Sequence, residues 1–406
     1  MTKGDRLVQC ELISASKQSG KNAVGNEKGD RMTAKGKIRA QSFHLRKFSG
    51  YLQRGVSGVA LSVTVFSTSC LFMSALGMST AYALDLTGNP GGQSARGSGY
   101  GGVGNGGGGF SGGGSKTAPN TAPVDGHGAN GAASGNGAGG GAGGGVGATT
   151  VGAGQVVIRG YDGTAGSNAG TGGGGGGAGV FLNASPSYLA TGSTITGGNG
   201  GGGGNVYHGD DASGGGGGAG AIVKAGTLTA AAGATITGGN GGNGGYVWQS
   251  WLGGGGSGGD GVVVDQGAVF TNYGVVSGGN GGDIVSNGGA SPVRLAHPGS
   301  GGDGIRMGTG AHVINAGTIS PGQLGRGVGT TDVNAANAVD IVGNNNTFEI
   351  WNSSVIKGNV VVKSGTVGNT LALGGAANGT FDVSAIGNQY KGFQGYSKTD
   401  VSVWTF

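Results

Sequence analysis

The sequence predicts an all-β fold of the β-helix (β-solenoid) class with long projecting glycine-rich loops. Three observations carry this. First, a phrase of two apolar triplets repeats at a fixed interval: its leading glycines fall at Gly179, Gly220, Gly261 and Gly304, at steps of 41, 41 and 43 residues. The centres of the second triplet, Ile195, Ile236, Val276 and Ile319, recur at steps of 41, 40 and 43. A constant period in this range marks a stacked repeat array rather than a globular domain. Second, the repeat holds short β-branched runs with turn residues between them and no helical periodicity. In the third copy these are Val262-Val263-Val264, a turn at Asp265-Gln266-Gly267, then Ala268-Val269-Phe270-Thr271, a turn at Asn272-Tyr273-Gly274, and Val275-Val276-Ser277. Three such strands with tight corners make one coil. Third, glycine supplies 108 of 406 residues, which suits corners that need positive φ.

The chain divides by composition. Residues 1–54 carry 12 Lys/Arg against 4 Asp/Glu, and residues 55–84 carry no charge. The uncharged stretch holds Val59-Ala60-Leu61, Val65-Phe66 and Leu71-Phe72-Met73, and Ala81-Tyr82-Ala83 closes it. A basic region, an apolar region and a small-x-small site are the parts of a secretory signal peptide, so 1–83 is expected to be an extended leader cleaved after Ala81 and Ala83. The stretch is also long enough for an uncleaved membrane helix, and either Met1 or Met32 can serve as its start. The leader is worth +8, which leaves −3 for the remainder. The basic balance therefore belongs to targeting and is no argument for nucleic acid, and no nucleic-acid partner is expected. Cys10 and Cys70 both lie in the leader, so the mature chain is not a disulfide scaffold.

Residues 84–150 are mostly Gly, Ala, Ser and Asn, with too little apolar surface to offset the entropy of ordering, and are expected to be flexible. Residues 151–325 hold the solenoid repeats, with Val156-Val157-Ile158 ending a first copy. The glycine-rich half of each repeat is read as a loop that cannot enter a core and projects from the coil, where long insertions cost little. Packing of these runs as polyproline-II-like bundles is the alternative for the loops. Residues 326–406 contain denser strand patterns: Val339–Val342, Thr347–Trp351, Ser354–Ile356, Asn359–Val362 and Asn369–Leu373, expected to be better-ordered coils.

Gly368-Asn369-Thr370-Leu371-Ala372-Leu373-Gly374-Gly375, followed by Gly379-Thr380-Phe381-Asp382-Val383, resembles the passenger domains of bacterial autotransporters. So does Tyr396-Ser397-Lys398-Thr399 with Val403-Trp404-Thr405-Phe406, where Lys398 and Trp404 match the spacing of a terminal passenger strand. Asp400, Ser402 and Phe406 depart from that strand's two glycines and leucine. The resemblance covers 84–406. It implies a right-handed parallel β-helix, exported from a Gram-negative cell and shown at its surface or released. Members of that family continue into an outer-membrane barrel, whose strands are alternating ten-residue segments. None follows Phe406 here, so the last strand is expected to belong to a passenger at a truncated end, periplasmic unless a barrel is supplied.

Candidate chemistry is sparse. Nonapeptides around Asp260, Asp283 and Asp303 match the calcium β-roll form, whose carboxylates and turn carbonyls suit Ca²⁺. Their spacings of 23 and 20 residues are not the nine-residue tandem of a β-roll, and solvated loop aspartates are the plainer reading. His208, Asp210 and Asp211 form a small polar cluster between glycine runs, with no converging partners. The abundant G-x-G-x-x-G matches lack a strand–turn–helix setting. No catalytic residue and no cofactor is expected. The expected function is structural: an adhesive or self-associating surface passenger whose partner is a surface receptor, matrix or another copy. The alternatives are a polysaccharide-active β-helix enzyme and a secreted Ca²⁺-binding β-roll protein.

Overall fold

The computed structural model describes residues 114–115, 118–119, 126–130, 144–167, 171–183, 186–205, 213–245, 253–285, 297–327 and 335–406. The expected leader over 1–83, its expected cleavage site at Ala81 and Ala83, and the cluster at His208, Asp210 and Asp211 lie outside the described residues.

Three parallel sheets build a β-solenoid; the coils from Val180 to Ile356 give one strand to each, and the third strands of the last two coils, Gly379–Thr380 and Trp404–Thr405, pair with each other in a separate small sheet. The first sheet stacks Val180–Leu182, Ala221–Val223, Val262–Val264, Ile305–Met307, Val339–Ile341, Val360–Val362 and Tyr390–Lys391. The second stacks Ser187–Leu189, Thr227–Ala230, Val269–Asn272, His312–Asn315, Thr347–Ile350, Thr370–Leu373 and Gly395–Lys398. The third stacks Val157–Arg159, Thr194–Thr196, Thr235–Thr237, Val275–Ser277, Thr318–Ser320 and Val355–Ile356. Strands from neighbouring coils pair residue for residue, as Val262 with Ala221 and Ile305. Residues 151–325 and 326–406 are thus one continuous stack, because Ile305–Met307 pairs directly with Val339–Ile341.

The strand alternation explains the core. One face of every strand points into the coil, giving ladders such as Ile195–Ile236–Val276–Ile319 and Leu228–Phe270–Val313–Phe348. Each fully buried Leu, Ile or Phe is worth about 1.5–3 kcal/mol of transfer free energy. A single coil cannot bury this face; stacked coils can. Corners follow local chemistry. Gly267 and Gly310 turn the chain after the first sheet with φ of 78° and 71°, a region glycine enters without strain. After the second sheet, Asn272 and Asn315 point inward and are fully buried. The Asn272 Nδ2 donates to Asn315 Oδ1 at 2.8 Å, and Asn272 Oδ1 accepts from the Gly274 N–H at 3.0 Å.

The glycine runs leave the three-sheet coil, as expected, but they are packed. The expectation that they cannot pack is corrected by their main-chain hydrogen bonds, and the polyproline-II-like alternative describes them. Along 197–204 the pattern repeats every three residues, the period of polyproline II. Gly197, Gly200 and Gly203 donate to the carbonyls of Thr237, Asn240 and Asn243 one coil on, at 2.9, 2.8 and 2.9 Å. Gly198, Gly201 and Gly204 donate sideways to Gly177, Gly174 and Thr171, at 2.7, 2.7 and 2.9 Å. The runs 238–244 and 278–284 repeat this, so runs that follow the third sheet form one layer and runs that precede the first sheet form another. In the runs between residues 171 and 304 no described glycine has positive φ. Glycine is needed because backbones touch: a Cβ on Gly201 would lie 2.0 Å from the Thr164 carbonyl oxygen.

Residues 126–130 and 144–150, composition-wise part of the flexible segment, join this packing. Gly144 N–H donates to Gly175 O at 2.8 Å, and Ala178 N–H to Gly126 O at 2.8 Å. A second small core forms beside the runs, where Ala178 and Ala219 meet the outward side chains Phe181, Ile222 and Val263.

Candidate functional site

Two glycines in each triplet of a run have no room for a side chain, so the third position alone carries chemistry. In the layer after the third sheet those positions are Asp162, Asn199, Asn240, Asn280 and Gln323, one per coil. The first four use their side chains on the next coil. Asp162 Oδ1 accepts the Asn199 N–H at 2.6 Å, Asn199 Oδ1 the Asn240 N–H at 2.8 Å, Asn240 Oδ1 the Asn280 N–H at 2.9 Å, and Asn280 Oδ1 the Gln323 N–H at 2.9 Å. These main-chain groups would otherwise lack a partner inside the protein, which explains why Asn and Asp fill the position. Three residues further on, Asn243 and Asp283 do the same, accepting from the N–H groups of Asp283 and Arg326 at 2.8 and 2.6 Å. The two ladders line a polar groove of about 540 Å³ that runs across the coils. Asp283 belongs here.

Asp260 and Asp303 occupy the equivalent positions of the inner layer, where Ala178 and Ala219 stand in the earlier coils. They lie three residues before Val263 and Arg306, which continue the outward ladder Phe181–Ile222–Val263–Arg306–Asp340. An apolar ladder therefore turns into a charged one. Asp260 is 1% exposed; its Oδ1 accepts the Asp303 N–H at 2.9 Å and its Oδ2 has no hydrogen-bond partner. Asp303 Oδ1 accepts the Asn337 N–H at 2.7 Å. Arg306 Nη1 lies 3.6 Å from both Asp303 Oδ2 and Asp340 Oδ2.

Burial, then the nearby Asp303 charge, raises the Asp260 carboxyl well above the usual range. Burial, then Asp340, pushes Asp303 up to about 7. Asp340 is raised by burial, against the pull of Arg306 and Lys363. Burial opposes the Arg306 charge, but the three carboxylates outweigh it and raise its pKa. Of the three sequence-predicted calcium candidates, the structure joins Asp260 to Asp303 and leaves Asp283 in the other layer. Among the described residues no group of three or more His, Cys, Asp or Glu has the arrangement to hold a metal ion.

A third polar centre sits on the outer face of the second sheet. Glu349 is 4% exposed and accepts from Trp351 Nε1 at 2.7 Å and Thr399 Oγ1 at 3.1 Å, and its Oε2 lies 3.1 Å from His312 Nε2. The His312 contact first, then Trp351 and Thr399, holds its carboxyl below the usual range. Trp351 meets Tyr273 edge-on at 5.7 Å. With both oxygens engaged, this carboxylate ties three coils together. Sequence reading missed Arg306, Asp340, His312 and Glu349. Register alone could have found the first two, since they continue the Ile222–Val263 column, and a Glu inside the apolar strand Thr347–Ile350 marks the last.

No protein-family model, curated protein or solved structure matches this chain.

Proposed function

We propose that the chain is an exported structural and interaction protein of the autotransporter-passenger type, which holds a polar, repetitive surface away from the cell for adhesion or self-association. The observation that supports it most is the pairing of two side-chain ladders on a scaffold of stacked backbone. The scaffold's variable positions, Asn240, Asn243, Asn280, Gln323 and Arg326, are exposed on one side. Broad contact with a partner follows from such a surface more readily than turnover of a small substrate. The proposal is non-enzymatic. Its partners are a surface receptor, matrix or a second copy, reached through export by the leader.

The test fuses the chain to a heterologous outer-membrane anchor and scores cell–cell clumping and attachment to coated surfaces. Attachment above that of the bare anchor, reduced when Asn240, Asn280 and Arg326 are all changed to Gly, is the expected result. Equal attachment with and without the chain overturns the reading.

A further inference from the structure

The charge cluster at Asp260, Asp303, Arg306 and Asp340 sits where the two-layer glycine bundle ends. Among the described residues the run 297–304 is the last of the inner layer: Gly302 N–H donates to Gly279 O at 2.8 Å and Gly299 N–H to Gly282 O at 2.9 Å, and Gly322 and Gly325 of the following outer run donate back to Gly302 and Gly299 at 2.9 Å. Just before the next strand of the first sheet, Ala335, Ala336, Asn337 and Ala338 stand where the earlier coils have glycine-rich sequence, and the Asn337 N–H donates to Asp303 Oδ1. Three carboxylates face one guanidinium here, and among the described residues the only other cation acting on them is Lys363, through Asp340. Asp260 has one oxygen buried without a hydrogen bond, and its nearest charged neighbours along the ladder are another aspartate and Arg306. Two like charges in a desolvated site cannot both persist without a cost that a single proton removes. A proton on Asp260 or Asp303 leaves two carboxylates and one Arg306, with Lys363 beside Asp340.

We infer that this cluster is a proton-operated lock that fastens the end of the glycine bundle to the plain coils, closed in mildly acidic medium and loosened as the medium becomes alkaline. The raised carboxyl pKa values agree in sign. A group whose folded pKa exceeds its unfolded one stabilises the folded state most below the unfolded pKa. That stabilisation is lost as pH rises through the folded pKa, here between about 4 and about 7 for Asp303. Release of one proton on opening makes local opening up to about tenfold more frequent for each unit the pH rises in that window. The lock does not depend on export or adhesion.

Hydrogen exchange on the full chain tests it, with each rate corrected for the intrinsic pH effect. Between pH 5 and pH 8.5, protection of Gly299, Gly302, Asn337 and Ile305 is expected to fall, while Gly215 and Gly218 in the bundle's middle stay constant. D260N keeps the oxygen that accepts the Asp303 N–H and removes the orphan charge, so it should abolish the local fall. D303N serves the same purpose if D260N does not fold. Uniform change along the chain, or an unchanged pH response in a folded Asp-to-Asn variant, overturns the lock. Restoration of protection at pH 8.5 by calcium also overturns it, in favour of a cation site.

Discussion

Gly201 and Gly202 are neighbours in an unbroken run of glycine and look interchangeable in the sequence, yet the structure separates them sharply. A Cβ on Gly201 would sit 2.0 Å from the Thr164 carbonyl oxygen and 2.4 Å from its carbon. Nonbonded heavy atoms settle at about 3.5 Å, so the two backbones must part by more than about 1 Å. That parting breaks the bonds that join the two runs, Gly163 N–H to Asn199 O, 2.8 Å, and Gly166 N–H to Gly202 O, 2.9 Å. Two lost hydrogen bonds at about 1 kcal/mol each and an overpacking cost of about 1–3 kcal/mol give about 3–5 kcal/mol for Gly201→Ala. At Gly202 the nearest atom to a new Cβ is the Asn243 carbonyl oxygen at 3.6 Å, an ordinary contact, and its φ is not positive. Gly202→Ala should be neutral, or stabilising by about 0.4–1 kcal/mol through a less flexible unfolded chain. Urea unfolding followed by circular dichroism reads the difference in midpoint. Equal midpoints for the two variants would refute the close-packed account of the runs and return them to the status of loose loops.

Asn280→Ala should orphan the Gln323 N–H and cost about 1 kcal/mol, whereas Asn280→Asp should retain stability because Asp283 already plays that part three residues on; thermal unfolding of the pair checks this. Glu349→Gln should destabilise by about 2 kcal/mol at neutral pH, since hydrogen bonds to a charged acceptor are the stronger kind. The Glu349 pKa is lowered in the fold, so its contribution exists above the unfolded value of about 4.3 and fades as pH falls through the folded one. The gap between variant and wild-type urea midpoints should therefore narrow between pH 5 and pH 3, and a constant gap counts against it.

Much of the coil was legible because its signal sits in side chains. Val262–Val264, Val275–Ser277 and the five C-terminal strand patterns lie where apolar spacing puts them, with ends moved by a residue or so. The β-branched triplets have no competing helical reading, and inward Ile195, Ile236, Val276 and Ile319 follow from period alone. The glycine layers were not legible in the same way. Their order comes from N–H and C=O groups, which every residue carries, so hydropathy has nothing to report. The trace they do leave is the non-glycine at each third position, as in Gly238-Gly239-Asn240-Gly241-Gly242-Asn243, a weak mark inside low complexity. Of the candidate sites, Asp260 and Asp303 were found by a calcium pattern, but the reason they matter is their column in the stack. Arg306 and Asp340 belong to the adjoining column, three residues on, and lie one and two coils beyond Asp260.

The triplet rule also has a genetic reading. Any missense change of a glycine codon adds at least one carbon, so in these runs two codons of every three should be closed to substitution and the third open. A deep mutational scan would show tolerance beating in time with the backbone. Drift and selection could then rewrite the groove, residue by residue at Asn240, Asn243, Asn280 and Gln323, while the layers beneath stay fixed. A surface of this kind can change whom it meets without renegotiating how it folds.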